Sequence, residues 1–322
     1  HDDHGDQDAV RRPRVTAPGW LWIALTLGAA TAQTFRNAAQ RHLITTLGTL
    51  GATLVRFLYG LPFTLVWLAG VAAVGGFSWP AINAAFVGWV ALAAVTQLVA
   101  AALLLQVMHE RNFALGVAYS KTDVMLVALF AFVMLGETVA PAVALAIGVG
   151  TAGVLLLSPA DPQRPFAALI TGWTTRSALL GLGCGANFAF SGVCIRAASF
   201  ALPETHFALT AAIILAGAQF LQTVLLGGWL AARAPQTLSA IGREWRPSLF
   251  AGCMGATASV GWFTAVAIEP IAHVRTLGLV ELLFGCVVSR RFFREKLSAR
   301  EIAGMALLAG AIAVVALARA PQ

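Results

Sequence analysis

Asp123 and Glu281 are acids set in long apolar stretches, and each stands fourteen residues before a second acid, Glu137 and Glu295. Laying Glu137 over Glu295 superposes Asp123 on Glu281. The flanks AYSKTDVMLVALFAFVMLGETV and VRTLGLVELLFGCVVSRRFFREKLS then match in type. A carboxylate in hydrocarbon costs roughly 2.5 to 3.5 kcal/mol on insertion scales. It must therefore pair with a cation, take up a proton or contact a bound solute. Three chemistries are open to the pair: anchoring an amine, carrying a proton, or forming an ion pair or hydrogen bond between helices. At a rise of about 1.5 Å per residue, Asp123 falls about 15 Å into a span starting near 113, and Glu281 about 15 Å beyond 271. Both then lie near the middle of a hydrocarbon layer about 30 Å thick.

Other polar groups share these spans. Lys121 is two residues from Asp123, about 200° around a helix, and so lies on another face. It could partner a substrate carboxylate or extend to the interface, while Tyr119 shares the Asp123 side. His273 and Arg275 open the same span as Glu281, as entrance groups. Gln33, Gln97, Asn187, Ser191, Gln219, Gln222 and Ser259 add amides and hydroxyls, and Trp89, Trp262, Tyr59 and Phe188 could form an aromatic wall. Taken singly, each reads as packing or an interhelical hydrogen bond; as a set they suit a small organic solute better than a bare ion. Arg36 and Arg56 read as snorkelling anchors at the end of the first span and the start of the second.

The elements that must hold these residues are membrane helices. Hydrophobic residues make up 59% of the chain and charged ones 11%, far below the charge of a soluble domain. The apolar stretches run to about twenty residues without alternation, which excludes a transmembrane barrel. The net charge of +7 comes from arginines scattered between apolar spans, a topology signal rather than a nucleic-acid surface. Cys184, Cys194, Cys253 and Cys286 lie in apolar segments with no metal-ligand spacing. No catalytic, metal or cofactor motif is present: His109-Glu110 stands alone, and the glycines at 181–185 lack a strand–turn–helix setting. The chain reads as a non-enzyme.

Ten spans are expected, at about 18–38, 50–75, 84–107, 113–135, 141–158, 177–199, 206–230, 248–267, 271–292 and 300–318. The longest break, SPADPQRPFAALITGWTTR, divides a polar tail (1–17) and a first five-helix repeat (18–159) from an inter-repeat loop (160–176) and a second repeat (177–318). An odd number of spans per repeat inverts the second half. The expected fold is all-α and polytopic, two inverted five-helix repeats around a central cavity. Small residues four apart, such as Gly252/Ala256, would let helices approach closely. The tail, HDDHGDQD, reads as polar and disordered, with no cleavable signal behind it.

Three segments carry a family resemblance. LGETVAPAVALAIGVGTAGVLLL at 135–157 is echoed by FFREKLSAREIAGMALLAGAIAVVAL at 292–317, and TLVRFLYGLPF at 53–63 has an arginine-led start to the second span. Together these resemble the drug/metabolite transporter superfamily, in its ten-span EamA-type branch, over about residues 18–318. The second copy has Phe-Arg-Glu where the first has Leu-Gly-Glu. The resemblance implies a multi-pass secondary transporter of the bacterial cytoplasmic (inner) membrane, an exporter of amino acids or related metabolites. It supplies no shared site residue. It also implies cytoplasmic termini, whereas the excess of arginine in the odd-numbered loops would place both termini outside.

The leading expectation is alternating-access transport of a small zwitterionic or cationic metabolite by a monomer or weak dimer. The lipid bilayer would be its surroundings and protons a candidate coupling ion. A lipid flippase or lipid-handling protein is the alternative, and a sensor or scaffold a third.

Overall fold

The computed structural model describes residues 18–110, 123–136, 141–157, 176–202, 205–284, 287 and scattered positions between 299 and 314. Tyr119, Lys121, Glu137, Glu295 and Cys286 lie outside the described residues. Among the described residues there are helices and turns and no strands. The helices are α1 (Leu21–Leu58), α2 (Leu61–Gly75), α3 (Ala84–Glu110), α4 (Asp123–Leu135), α5 (Pro141–Leu157), α6 (Arg176–Phe200), α7 (Phe207–Arg233), α8 (Pro235–Arg243), α9 (Trp245–Ile268) and α10 (Ile271–Leu277).

Five described stretches are long and apolar enough to cross a membrane: Leu21–Gly75, Ala84–Val107, Leu179–Phe200, Phe207–Arg233 and Trp245–Ile268. Helix is the expected solution there, because each backbone N–H and C=O then finds its partner within the segment. The outer surface fits lipid as solvent. Helix α2 buries only Thr64, leaving Leu65, Val66 and Trp67 exposed. In water that face would be an aggregation site. Exposed Trp20, Trp79, Trp229 and Trp245 all sit at or near helix ends, where aromatic belts form.

Helix α1 is two legs of a hairpin. Gly48 has φ 67° and ψ 176°, a conformation closed to residues with a Cβ. The reversal brings Gln40 Nε2 within 2.9 Å of the Ala52 carbonyl. The first leg therefore runs to residue 47, not to about 38, and Arg36 lies inside a helix rather than at its end. Helix α1 packs most extensively on α9, and α3 on α6. The first contact depends on missing side chains: a Cβ on Gly261 would meet Ala29 Cβ and the Leu25 carbonyl at 2.8 Å, and one on Gly252 would meet the Tyr59–Gly60 backbone at 2.5–2.8 Å.

The ninth expected span is interrupted. Helix α10 stops at Leu277, and Gly278–Leu279 form a turn before helix resumes at Val280. The turn is tightened by Leu279 N–H to Thr276 O (3.1 Å) and Glu281 N–H to Gly278 O (3.1 Å). Three-residue spacing of this kind tightens the winding and re-aims the side chains that follow. Glu281 is therefore presented from a broken helix. Two arginine contacts hold the preceding junction: Arg196 Nη1 donates to the carbonyls of Val266 (2.6 Å) and Ala267 (3.0 Å). These are C-terminal carbonyls of α9 that have no partner within the helix.

Candidate functional site

Residues from both legs of α1, from α3, α4, α6, α9 and α10, and from the helix that resumes after it line one cavity of about 50 Å³. Its charged wall consists of Arg36, Arg56, Asp123, Arg275 and Glu281, with Gln33, Asn37, Gln97 and Ser259 as polar neighbours and Phe188, Trp262 and Phe263 as aromatic ones. Ligand pockets usually hold about 300–1,000 Å³, so this space accepts a few waters or one small polar group.

Four of these five charges, all but Arg56, are linked through amides and Trp262. Glu281 accepts from Gln33 Nε2 at 2.6 Å and from Asn37 Nδ2 at 3.1 Å. Behind these amides stand further donors: Trp262 Nε1 donates to Gln33 Oε1 (3.1 Å), and Arg36 Nη2 to Asn37 Oδ1 (2.8 Å). Arg275 Nη1 lies 3.4 Å from Asp123 Oδ2, and its guanidinium faces the Trp262 ring, 5.6 Å from the centroid. Trp262 thus touches both acid-bearing arms. Gly278 makes room for that ring, since a Cβ there would come within 2.5 Å of Trp262 Cη2. Gly192 does the same for Arg275: a Cβ would meet its Nη2 at 3.3 Å and Ile271 Cδ1 at 2.5 Å.

Asp123 and Glu281 are both 5% exposed and share this cavity. Gln33, Gln97, Trp262 and Arg275 join them there. His273 does not; its Nδ1 is 2.6 Å from Glu269 Oε1, across the α9–α10 junction. The other polar candidates hold helices together. Gln219 accepts from the Thr64 hydroxyl, tying α7 to α2. Ser191 donates to the Ala93 carbonyl, tying α6 to α3 (3.1 Å). Asn187 donates to Gly183 O within its own helix (2.8 Å). Gln222 donates to Gln97 (2.9 Å) and to Ala94 O (3.1 Å), which steadies Gln97 from α7. Trp89 packs against the apolar core and is not part of the cavity wall.

The largest departure from the sequence reading concerns Arg36 and Arg56. They do not snorkel: they are 1% and 5% exposed, and both line the cavity. The aliphatic stems cross α9 at Gly255, where a Cβ would stand 3.3 Å from Arg36 Cδ and 3.4 Å from Arg56 Cγ. A signal for this face was present in the chain. Gln33, Arg36, Asn37 and Gln40 recur at the three- and four-residue spacing of one helix face, opposite to the lipid side. Cys184 and Cys194 are buried and Cys253 half-buried, and none forms a disulfide among the described residues.

No protein-family model matches the chain, and no curated protein matches it. A solved structure described only as the crystal structure of a protein is similar to it with a TM-score of 0.69 and 16% identity, covering 92% of this chain and 96% of that one. At that identity the likeness is one of fold, and it extends over nearly the whole of both chains.

Proposed function

We propose that the chain is a secondary transporter that carries a small organic metabolite across a membrane by alternating access. The observation that carries this reading is the meeting of Asp123 and Glu281, matched by the internal repeat and 158 residues apart, in one buried charged cavity. Charged groups deep within a membrane bundle are expensive to keep and typically mark a solute or proton path. The broken helix before Glu281 also fits, because discontinuous helices commonly supply transporter sites.

In this reading the chain has the ten-span, twice-five plan of a drug/metabolite transporter of the EamA type, in a bacterial inner membrane. The two halves rock around the cavity, which widens toward one side at a time to admit a solute. Amide bridges through Gln33 and Asn37 let Glu281 shift between partners without stranding a bare charge. The lipid-handling alternative has less support: an apolar groove of about 410 Å³ lies by Leu54, Leu58, Tyr59, Leu238 and Ile241, but it shares no wall residue with the charged cavity.

Reconstituted vesicles loaded in turn with amino acids, amines, organic acids, nucleosides or sugars should exchange one class with labelled external solute. Asp123→Asn and Glu281→Gln proteins that fold normally should lose that exchange. Unchanged exchange in both variants would remove these acids from the mechanism. Scrambling of labelled lipid with no solute exchange would favour the alternative.

A further inference from the structure

The described cavity wall carries three guanidinium groups and two carboxylates, one formal positive charge in excess. Arg275 faces Asp123, and two amides face Glu281, one of them held by Arg36. Arg56 has neither a hydrogen bond nor an ion pair with a described residue; its guanidinium rests near the ring of Phe57, 5.3 Å from the centroid. Buried Nη1 of Arg36, Nε of Arg56 and Nε of Arg275 all lack a hydrogen-bond partner.

Such donors are not at rest. A buried cation without an anion is among the least favourable arrangements a membrane protein can hold, and guanidinium donors match the paired oxygens of a carboxylate or phosphate. The stems of Arg36 and Arg56 both pass Gly255, and both residues line the cavity. The space of about 50 Å³ suits an anionic head group rather than a whole metabolite.

We propose that this cavity binds a small organic anion, with its carboxylate or phosphate group held by Arg56 and Arg36. The proposal rests on the transporter reading and narrows its substrate class. An anion with one net charge neutralises the described wall. A zwitterion leaves the excess in place, and a cation doubles it. The acids are then positioning groups for the arginines and for Trp262, not anchors for an amine.

The test is thermal unfolding of the full chain in lipid nanodiscs, with lactate, its neutral amide lactamide, its zwitterionic analogue alanine, choline, glycerol phosphate and inorganic phosphate as probes. Lactate or a phosphate probe should raise the unfolding temperature, with lactamide, alanine and choline inactive; the two arms separate carboxylate from phosphate. Arg56→Gln should weaken the effect at least about tenfold, and Arg56→Lys less. Arg246→Gln, on an exposed surface beside Trp245, should leave it unchanged. The wild-type contrast of lactate with lactamide needs no variant, so misfolding of Arg56→Gln does not spare the proposal. Stabilisation by choline, alanine or lactamide, no effect of any anion, or an anion effect retained in both Arg56→Gln and Arg36→Gln overturns it. Vesicle exchange run in parallel separates the two readings. Anion binding without exchange defeats transport alone, and exchange of a cationic or neutral class defeats the anion site alone.

Discussion

Arg36 and Glu281 are joined through the amide of Asn37, which accepts from Arg36 Nη2 at 2.8 Å and donates to Glu281 Oε1 at 3.1 Å. Opposite charges on α1 and on the broken helix therefore communicate through a neutral group. A direct ion pair would bind each charge fully to the other. The amide bridge orients both and leaves Arg36 Nη1 without a partner.

Replacing Asn37 by Leu keeps the branched outline and removes its hydrogen bonds to Arg36 and Glu281. Hydrogen bonds to charged groups contribute about 1.5–3 kcal/mol each, and stranding the partners adds desolvation. The variant should lose about 2 kcal/mol or more in reversible unfolding in mixed micelles, and should lose solute exchange. Wild-type stability in the variant would show that the bridge contributes nothing to the fold.

Gly255 is predicted to be graded in its tolerance. An added methyl stands 3.3–3.4 Å from two flexible stems, which can yield by a few tenths of an ångström. Gly255→Ala should therefore fold and keep most of its activity. Gly255→Leu occupies the path of both Arg36 and Arg56 and should abolish binding and exchange, with an overpacking cost of about 1–3 kcal/mol. Equal activity of the two variants would show that the stems do not depend on this gap.

His206, just before α7, gives a pH dependence outside the membrane-spanning stretches. Its Nδ1 accepts from the Ala208 N–H at 3.3 Å, and its ring stacks on Phe77 with centroids 4.3 Å apart. Burial against these neighbours lowers its pKa from the ordinary 6.5. The folded state thus binds the proton less readily than the unfolded chain. Its contribution to stability is complete above pH 6.5 and is lost as pH falls through the lowered value. His206→Asn keeps a helix-capping acceptor without a titrating ring. Unfolding midpoints measured across this interval should fall with acid more steeply in wild type than in the variant; parallel curves would exclude His206 as the cause.

Much of the scaffold was legible because hydropathy and helix breaking are local properties. The expected spans at 84–107, 141–158, 177–199, 206–230 and 248–267 lie within about three residues of α3, α5, α6, α7 and α9 at either end. Short α8 was missed, being an amphipathic piece too brief to span. The break at Gly278 was missed as well, since glycine inside an apolar run signals close packing and a turn alike.

By itself the sequence determined that the chain is helical and apolar, and that Asp123 and Glu281 are costly groups in matched places. Those conclusions follow from composition, spacing and the expense of charge in hydrocarbon. Only the tertiary structure decided which polar residues meet. A glutamine facing a cavity and one bridging two helices have the same sequence signature, so Gln33 and Gln219 could not be told apart. Arg36 and Arg56 likewise look the same at a helix end or in a buried wall. The Gly48 reversal and the Gly255 gap place them in the wall, because two helices can carry both guanidinium stems between them only where a side chain is missing.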